Sequence, residues 1–262
     1  MKNLLTTLLV FVGLTIVSPT ALAQDWNGGE NTATRPDLNG IWAQKIVNTS
    51  LSKIPIVGRV TTVTTSYLRV EIDQDGEELR LDSEVCHLEI DSSQDSVRTI
   101  VPPRFVRAME EQSRRARLVE TSDGDAKFVA PSKTTTLGVR LRSPSYENLP
   151  SEPDDPRIVD QDGDGDPGVT LQLRGLVSAD LYVAQRGSDA LRGEVRGNSI
   201  IDGLVSWSSD QKVLGSTSIF VKSQPESRPH PDEDRSYFRT TRIDASASCS
   251  DIVSNRDRLF DR

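Results

Sequence analysis

The chain has 262 residues, with 39 Asp and Glu against 31 Lys and Arg, and a formal net charge of -8. That balance excludes nucleic acid and anionic membrane surfaces as main partners, because both recruit basic faces. Aromatic residues make up only 5% of the chain, too few for base-stacking platforms.

The chain opens like an export signal. Lys2 gives the positive start, Leu4 to Val17 is an apolar run, and Ala21-Leu22-Ala23 forms a small-x-small cleavage site before Gln24. The apolar run is too short and wrongly flanked for a spanning helix. The residue directly after the cleavage point is Gln24 and not cysteine, so the expected product has no lipid anchor and no membrane insertion after signal cleavage. It is expected in a periplasm or outside the cell. Residues 24–37 read as a flexible polar leader, and residues 38–262 as a single β-rich domain.

Strand signals begin with Gly40-Ile41-Trp42, running to Val47, followed by Arg59 to Ile72. Leu68, Val70 and Ile72 point one way, Arg69 and Glu71 the other. Asp73 to Gly76 reads as a hairpin turn. Leu79 and Leu81 resume the alternation, which changes parity by Cys86, Leu88 and Ile90, so a bulge is expected near Ser83-Glu84. This parity puts Cys86 on an inward face. Pro102-Pro103 followed by Phe105, Val106 and Met109 starts a helix. The segment carries Arg104, Arg107, Arg114, Arg115 and Arg117, read either as a solvated helix face or as a dock for an acidic partner.

Lys127 to Val129 and Thr134 to Leu141 read as short strands, and Ser143 to Pro156 as an acidic, proline-rich connection. Val169, Leu171 and Leu173 alternate with polar neighbours. Leu181 and Val183 lie in the next run, and Leu191 to Val195 follow after a break at Gly187-Ser188-Asp189. Ile200 to Trp207, Lys212 to Lys222 and Tyr237 to Ile243 complete the series, with Pro225 to Pro231 as a loop. Such closely spaced strands predict an all-β fold, a mainly antiparallel barrel or sandwich with one or two short helices.

Cys86 and Cys249 are the two cysteines. In an oxidising compartment an isolated pair reads as one disulfide; the alternative is two free buried thiols.

The stretch Asp160-Gln161-Asp162-Gly163-Asp164-Gly165-Asp166-Pro167-Gly168 sets four carboxylates at alternate positions. Calcium takes six to eight oxygens, and loops presenting Asp at positions one, three and five with Gly at six wrap it well. Asp160, Asp162, Asp164 and Gly165 fit those positions, and the Asp166 carbonyl fits the seventh. The stretch resembles the Asp-rich calcium loops of EF-hands and of thrombospondin type 3 and integrin-type repeats, over about ten residues. It departs from the EF-hand at position nine, Gly168, and at position twelve, Leu171, where that family has a bidentate Glu. Further ligands would have to come from Asp154, Asp155 or water. The resemblance implies a structural calcium ion; the alternative is that Asp and Gly serve as turn formers.

Gly40-x-Trp42 resembles the first-strand signature of lipocalins, within the calycins. In that family a late basic residue packs over the tryptophan, a role Arg239 or Arg242 would fill, and a disulfide from mid-chain to the C-terminal tail is similar to Cys86–Cys249. The second motif, Thr-Asp-Tyr, is missing. The resemblance implies a barrel with a cavity for a small apolar ligand near Trp42, Arg239 and Arg242.

Catalytic signals are sparse. His87 and His230 have no zinc-ligand spacing, and there is no Gly-x-Ser-x-Gly elbow. The expected function is therefore a non-catalytic binding or structural module of the cell envelope or secretome, its partner an unidentified small molecule or envelope component. The alternatives are a lipocalin-like carrier and a carboxylate-dependent glycan hydrolase.

Overall fold

In the computed structural model the described residues are 35–54, 58–94, 96–109, 111–120, 125–176, 178–219 and 227–261. The expected export signal, residues 1–23, and residues 24–34 of the expected leader lie outside them, as do parts of the Lys212–Lys222 and Pro225–Pro231 stretches. Residues 35–262 form one compact unit.

Strands β1 (Gly40–Ile54), β2 (Gly58–Asp75), β3 (Glu78–Ser92), β4 (Val97–Ile100), β5 (Gln112–Glu120), β6 (Ala126–Leu137), β7 (Val169–Gly175), β8 (Ala179–Arg196), β9 (Ile200–Ser216), β10 (Ser227–Pro229) and β11 (Tyr237–Arg242) belong to one sheet. Eight of them close into a ring: β1, β2, β3, β5, β6, β8, β9 and β11, each antiparallel to the next, with β11 returning to β1. The fold is an all-β antiparallel barrel with short helices: α1 (Pro103–Ala108), α2 (Cys249–Ser254) and α3 (Arg256–Leu259). Closure pairs β11 with β1, so neither end of the ring is left as an unpaired edge strand.

One apolar cluster takes residues from all eight strands of the ring, among them Trp42, Val70, Leu79, Leu118, Phe128, Leu191, Ile201 and Phe238. Side chains from every strand can meet only inside the ring, so the inward rows are fixed by the period-2 alternation. Each large side chain buried there contributes about 1.5–3 kcal/mol. Trp42 is fully buried and its Nε1 donates to the Leu38 carbonyl at 2.9 Å. A second cluster, Ala43, Tyr67, Ile252 and Phe260, sits on the opposite face of β1 and β2, where α2 and α3 cover the barrel wall.

Several sequence expectations are corrected. The parity switch lies at Cys86, the extra residue between the pairs Leu68↔Val85 and Tyr67↔His87, not at Ser83-Glu84. Cys86 packs with the outer cluster and not in the barrel interior, and from there it is bonded to Cys249 at the start of α2, with Cα atoms 5.0 Å apart. Helix α1 ends at Ala108, and Arg114, Arg115 and Arg117 belong to strand β5, not to a helix face. Gly187-Ser188-Asp189 does not break its strand: Gly187 pairs with Thr135 on one side and Ser209 on the other. Two satisfied ladders outweigh the local turn propensity.

Candidate metal centre

The Asp-rich loop lies in the excursion between β6 and β7. Gly138 and Gly168 close its base with φ of +69° and +88°, and a Cβ on Gly168 would stand 2.3 Å from the Val183 carbonyl of β8. Only glycine fits both that backbone conformation and that approach. Gln161 locks the base further. Its N–H donates to the Gly168 carbonyl at 3.0 Å, its Oε1 accepts from Gly138 N at 2.7 Å, and its Nε2 donates to the Ala108 carbonyl of α1 at 2.8 Å.

Within the loop the carboxylates turn inward. Asp160 accepts the N–H groups of Asp164 at 3.1 Å and Gly165 at 2.9 Å, one on each oxygen. Asp164 accepts the Asp166 N–H at 3.0 Å and the Thr170 hydroxyl at 2.7 Å. Asp162 accepts the Thr170 N–H on Oδ2 at 3.1 Å. One carboxylate oxygen from each of Asp160, Asp162 and Asp164 lies within 4.8 Å of the others. Each oxygen carries two acceptor sites, so one protein hydrogen bond leaves room for a cation.

Charge is out of balance. The Asp164 side chain is only 5% exposed, and Arg104 reaches it at 3.4 Å. Among the described residues Arg104 is the one cation paired with these carboxylates. Burial pushes the Asp162 carboxyl above the ordinary carboxylate range; the N–H groups of Thr170 and of Asp162 itself oppose the shift, and the neighbouring Asp164 and Asp160 add to it. Its Oδ1 is buried with no hydrogen-bond partner. An ionised oxygen in that position is costly unless a positive charge meets it.

Asp160, Asp162 and Asp164 thus converge, whereas the Asp166 carboxylate is not part of that group and lies near Tyr182, where it adds to burial in raising the phenol pKa. Asp155 is held by Arg157 through Nε at 2.9 Å and Nη2 at 2.8 Å. Leu171, at position twelve, is buried on β7 in a cluster with Phe105 and Val183. Sequence reading missed Thr170, Gln161 and Arg104. The first two lie inside or beside the motif, but Arg104 arrives from a distant helix and no spacing reveals it.

The other site residues fall into two places. The Arg242 guanidinium lies over the Trp42 ring, 4.4 Å from its centroid, and donates to the carbonyls of Asp37, Asn39 and Asn198. Arg239 lies on the opposite face of β11 and meets Asp202 at 3.5 Å. Residues 35–37 are tied down: Arg35 pairs with Glu120 at 3.1 Å and Glu77 at 3.3 Å.

No family model matches the chain, and no curated protein matches it. Among the described residues no helix is long and apolar enough to cross a membrane.

Proposed function

We propose that this is an exported, non-catalytic binding or structural module whose Asp160–Gly168 loop holds a structural calcium ion. The observation that carries the reading is the buried, unpartnered Oδ1 of Asp162 beside the carboxylates of Asp160 and Asp164. Asp160, Asp162 and Asp164 would be the protein ligands, with the Asp166 carbonyl and water completing an oxygen shell of the kind a hard cation takes. A loop without the bidentate twelfth-position carboxylate would bind weakly, in the range of extracellular modules, with a dissociation constant of roughly 10⁻⁴–10⁻³ M.

Calorimetric titration of chelator-stripped protein with calcium tests this. One saturable site, lost in Asp162→Asn, is the expected result; heats of dilution alone would remove the ion from the account. Export would show as a mature N-terminus at Gln24.

A second reading, a lipocalin-like carrier of a small apolar ligand, draws on Arg242 over Trp42 and on the ring of eight successive antiparallel strands. It predicts saturable displacement of a fluorescent fatty-acid probe by unlabelled fatty acid. Non-saturable probe binding would remove it.

A further inference from the structure

Strands β5 and β6 separate partway along the barrel. Their pairing runs from Glu120↔Ala126 to Arg117↔Val129 and then stops, while β5 continues along β3 and β6 along β8. Between the parted strands lies a notch of about 400 Å³, bounded by Ser113, Arg114, Arg115, Lys133 and Ser145. That volume falls within the range of small-molecule sites.

The notch is electropositive in an acidic protein. Arg114 forms its back wall, bonded to Asp189 Oδ2 at 2.7 Å and to the Asp189 and Pro131 carbonyls at 3.0 Å. Asp189 bonds Arg114 and also faces Lys133 in the β6–β8 register. Asp82, the other nearby carboxylate, is paired with Arg80 at 2.8 Å. Among the described residues no carboxylate pairs with Arg115 or Lys133 within 4.0 Å. Arg115 also stands directly across from Arg80 in the β3–β5 register, and like charges in that arrangement repel. Lys133 extends to the Ser113 carbonyl at 2.6 Å, which spans the gap between the strands. Burial, then the nearby Arg114, hold its ammonium below the usual lysine range, while Asp189 and Asp82 oppose that. Ser132, Thr134 and Ser145 line the same notch, with the Thr134 hydroxyl bonded to those of Ser145 at 3.1 Å and Ser188 at 2.8 Å. Two cations lining one notch, with no carboxylate in its lining, is the chemistry that recognises an oxyanion.

We propose that the β5–β6 notch binds a small ligand through an oxyanion, a carboxylate or a phosphate, with Arg115 and Lys133 as its cationic contacts. The inference names a ligand class for the binding module proposed above. It does not depend on the calcium loop, so either can fail alone.

The test is an amide-shift titration of the intact mature protein at constant ionic strength in chloride, with inorganic phosphate in one series and glucuronate in another. Saturable shifts at Ser113 and Lys133 are expected, at least about fivefold weaker in Lys133→Met and in Arg115→Ala. The exposed Arg98→Ala, on β4, serves as control and should titrate like wild type. Saturation by phosphate alone assigns a phosphate-bearing ligand, and saturation by glucuronate alone a carboxylate-bearing one. Saturation by neither, or saturation unchanged in both notch variants, would overturn the proposal.

Discussion

The barrel interior around Trp42 and the loop around Asp162 solve opposite problems. The interior is completed by the chain's own atoms: eight strands each contribute apolar side chains, Trp42 is fully buried, and its one polar atom is bonded to the Leu38 carbonyl. The loop gathers carboxylates, spends backbone N–H groups on most of their oxygens, and still leaves Asp162 Oδ1 buried and unpartnered. Stability in the first region should be indifferent to ions. In the second it should depend on one.

The largest effect is expected in the barrel. Trp42→Ala should cost about 3–5 kcal/mol through lost burial and a cavity, by the same amount in calcium and in chelator when followed by urea unfolding. A calcium-dependent loss there would break the contrast. Asp162→Asn should do the reverse. In 10 mM calcium it should cost about 1.4–2.7 kcal/mol, the stabilisation a ligand of the proposed affinity supplies. In chelator it should be neutral or stabilising, because the amide carries no charge to bury. A smaller loss, about 1–2 kcal/mol, is expected for Arg242→Ala, from the cation–π contact over Trp42 and the carbonyls it bridges, again without ion dependence.

The subtlest test is pH. With its folded value raised by burial, the Asp162 carboxyl contributes stability that is fully present below the ordinary carboxylate value and is lost as pH rises through the folded value. Chelated protein should therefore gain stability from this group as pH falls from neutrality towards that range. Calcium-loaded protein should lose stability over the same interval, as protons displace the ion. The carboxyls of Asp37, Asp155, Asp244 and Asp251 are held below their ordinary value, chiefly by local hydrogen bonds. Their contribution is lost only at lower pH, as it falls through their depressed folded values. Parallel slopes for the two forms, recorded as melting temperature against pH, would contradict the assignment.

Much of the barrel was legible because alternation is a direct image of an inside and an outside. Leu68, Val70 and Ile72 announced one wall of the interior, and Gly40-x-Trp42 marked its first strand. Closure was not legible. It depends on β11 reaching back to β1, a pairing between residues some 200 positions apart that no local pattern encodes. Cys86 reads as inward because its neighbours continue an apolar row, but the bulge at that very residue turns it to the outer face. The arginines of β5 were absorbed into a helix that starts convincingly at Pro103 and ends after six residues. α2 and α3 escaped sequence reading, although Ser248 and Asp251 form a capping box.

The Asp-rich loop shows the same division. Positions one, three and five came from spacing, and they converge. What surrounds them, the Thr170 hydroxyl, the Gln161 lock and the Arg104 charge, follows from how the excursion folds back onto α1 and β7. A motif can name ligands; it cannot show whether the site is already satisfied by protein charge.

The central claim, that the loop needs a cation which the barrel does not, is tested most directly by melting the oxidised protein in millimolar calcium and again in excess chelator. The account predicts a higher melting temperature in calcium, with the difference abolished by Asp162→Asn and preserved in Arg242→Ala. Equal melting temperatures in calcium and chelator would contradict it and leave Asp160–Gly168 as a turn.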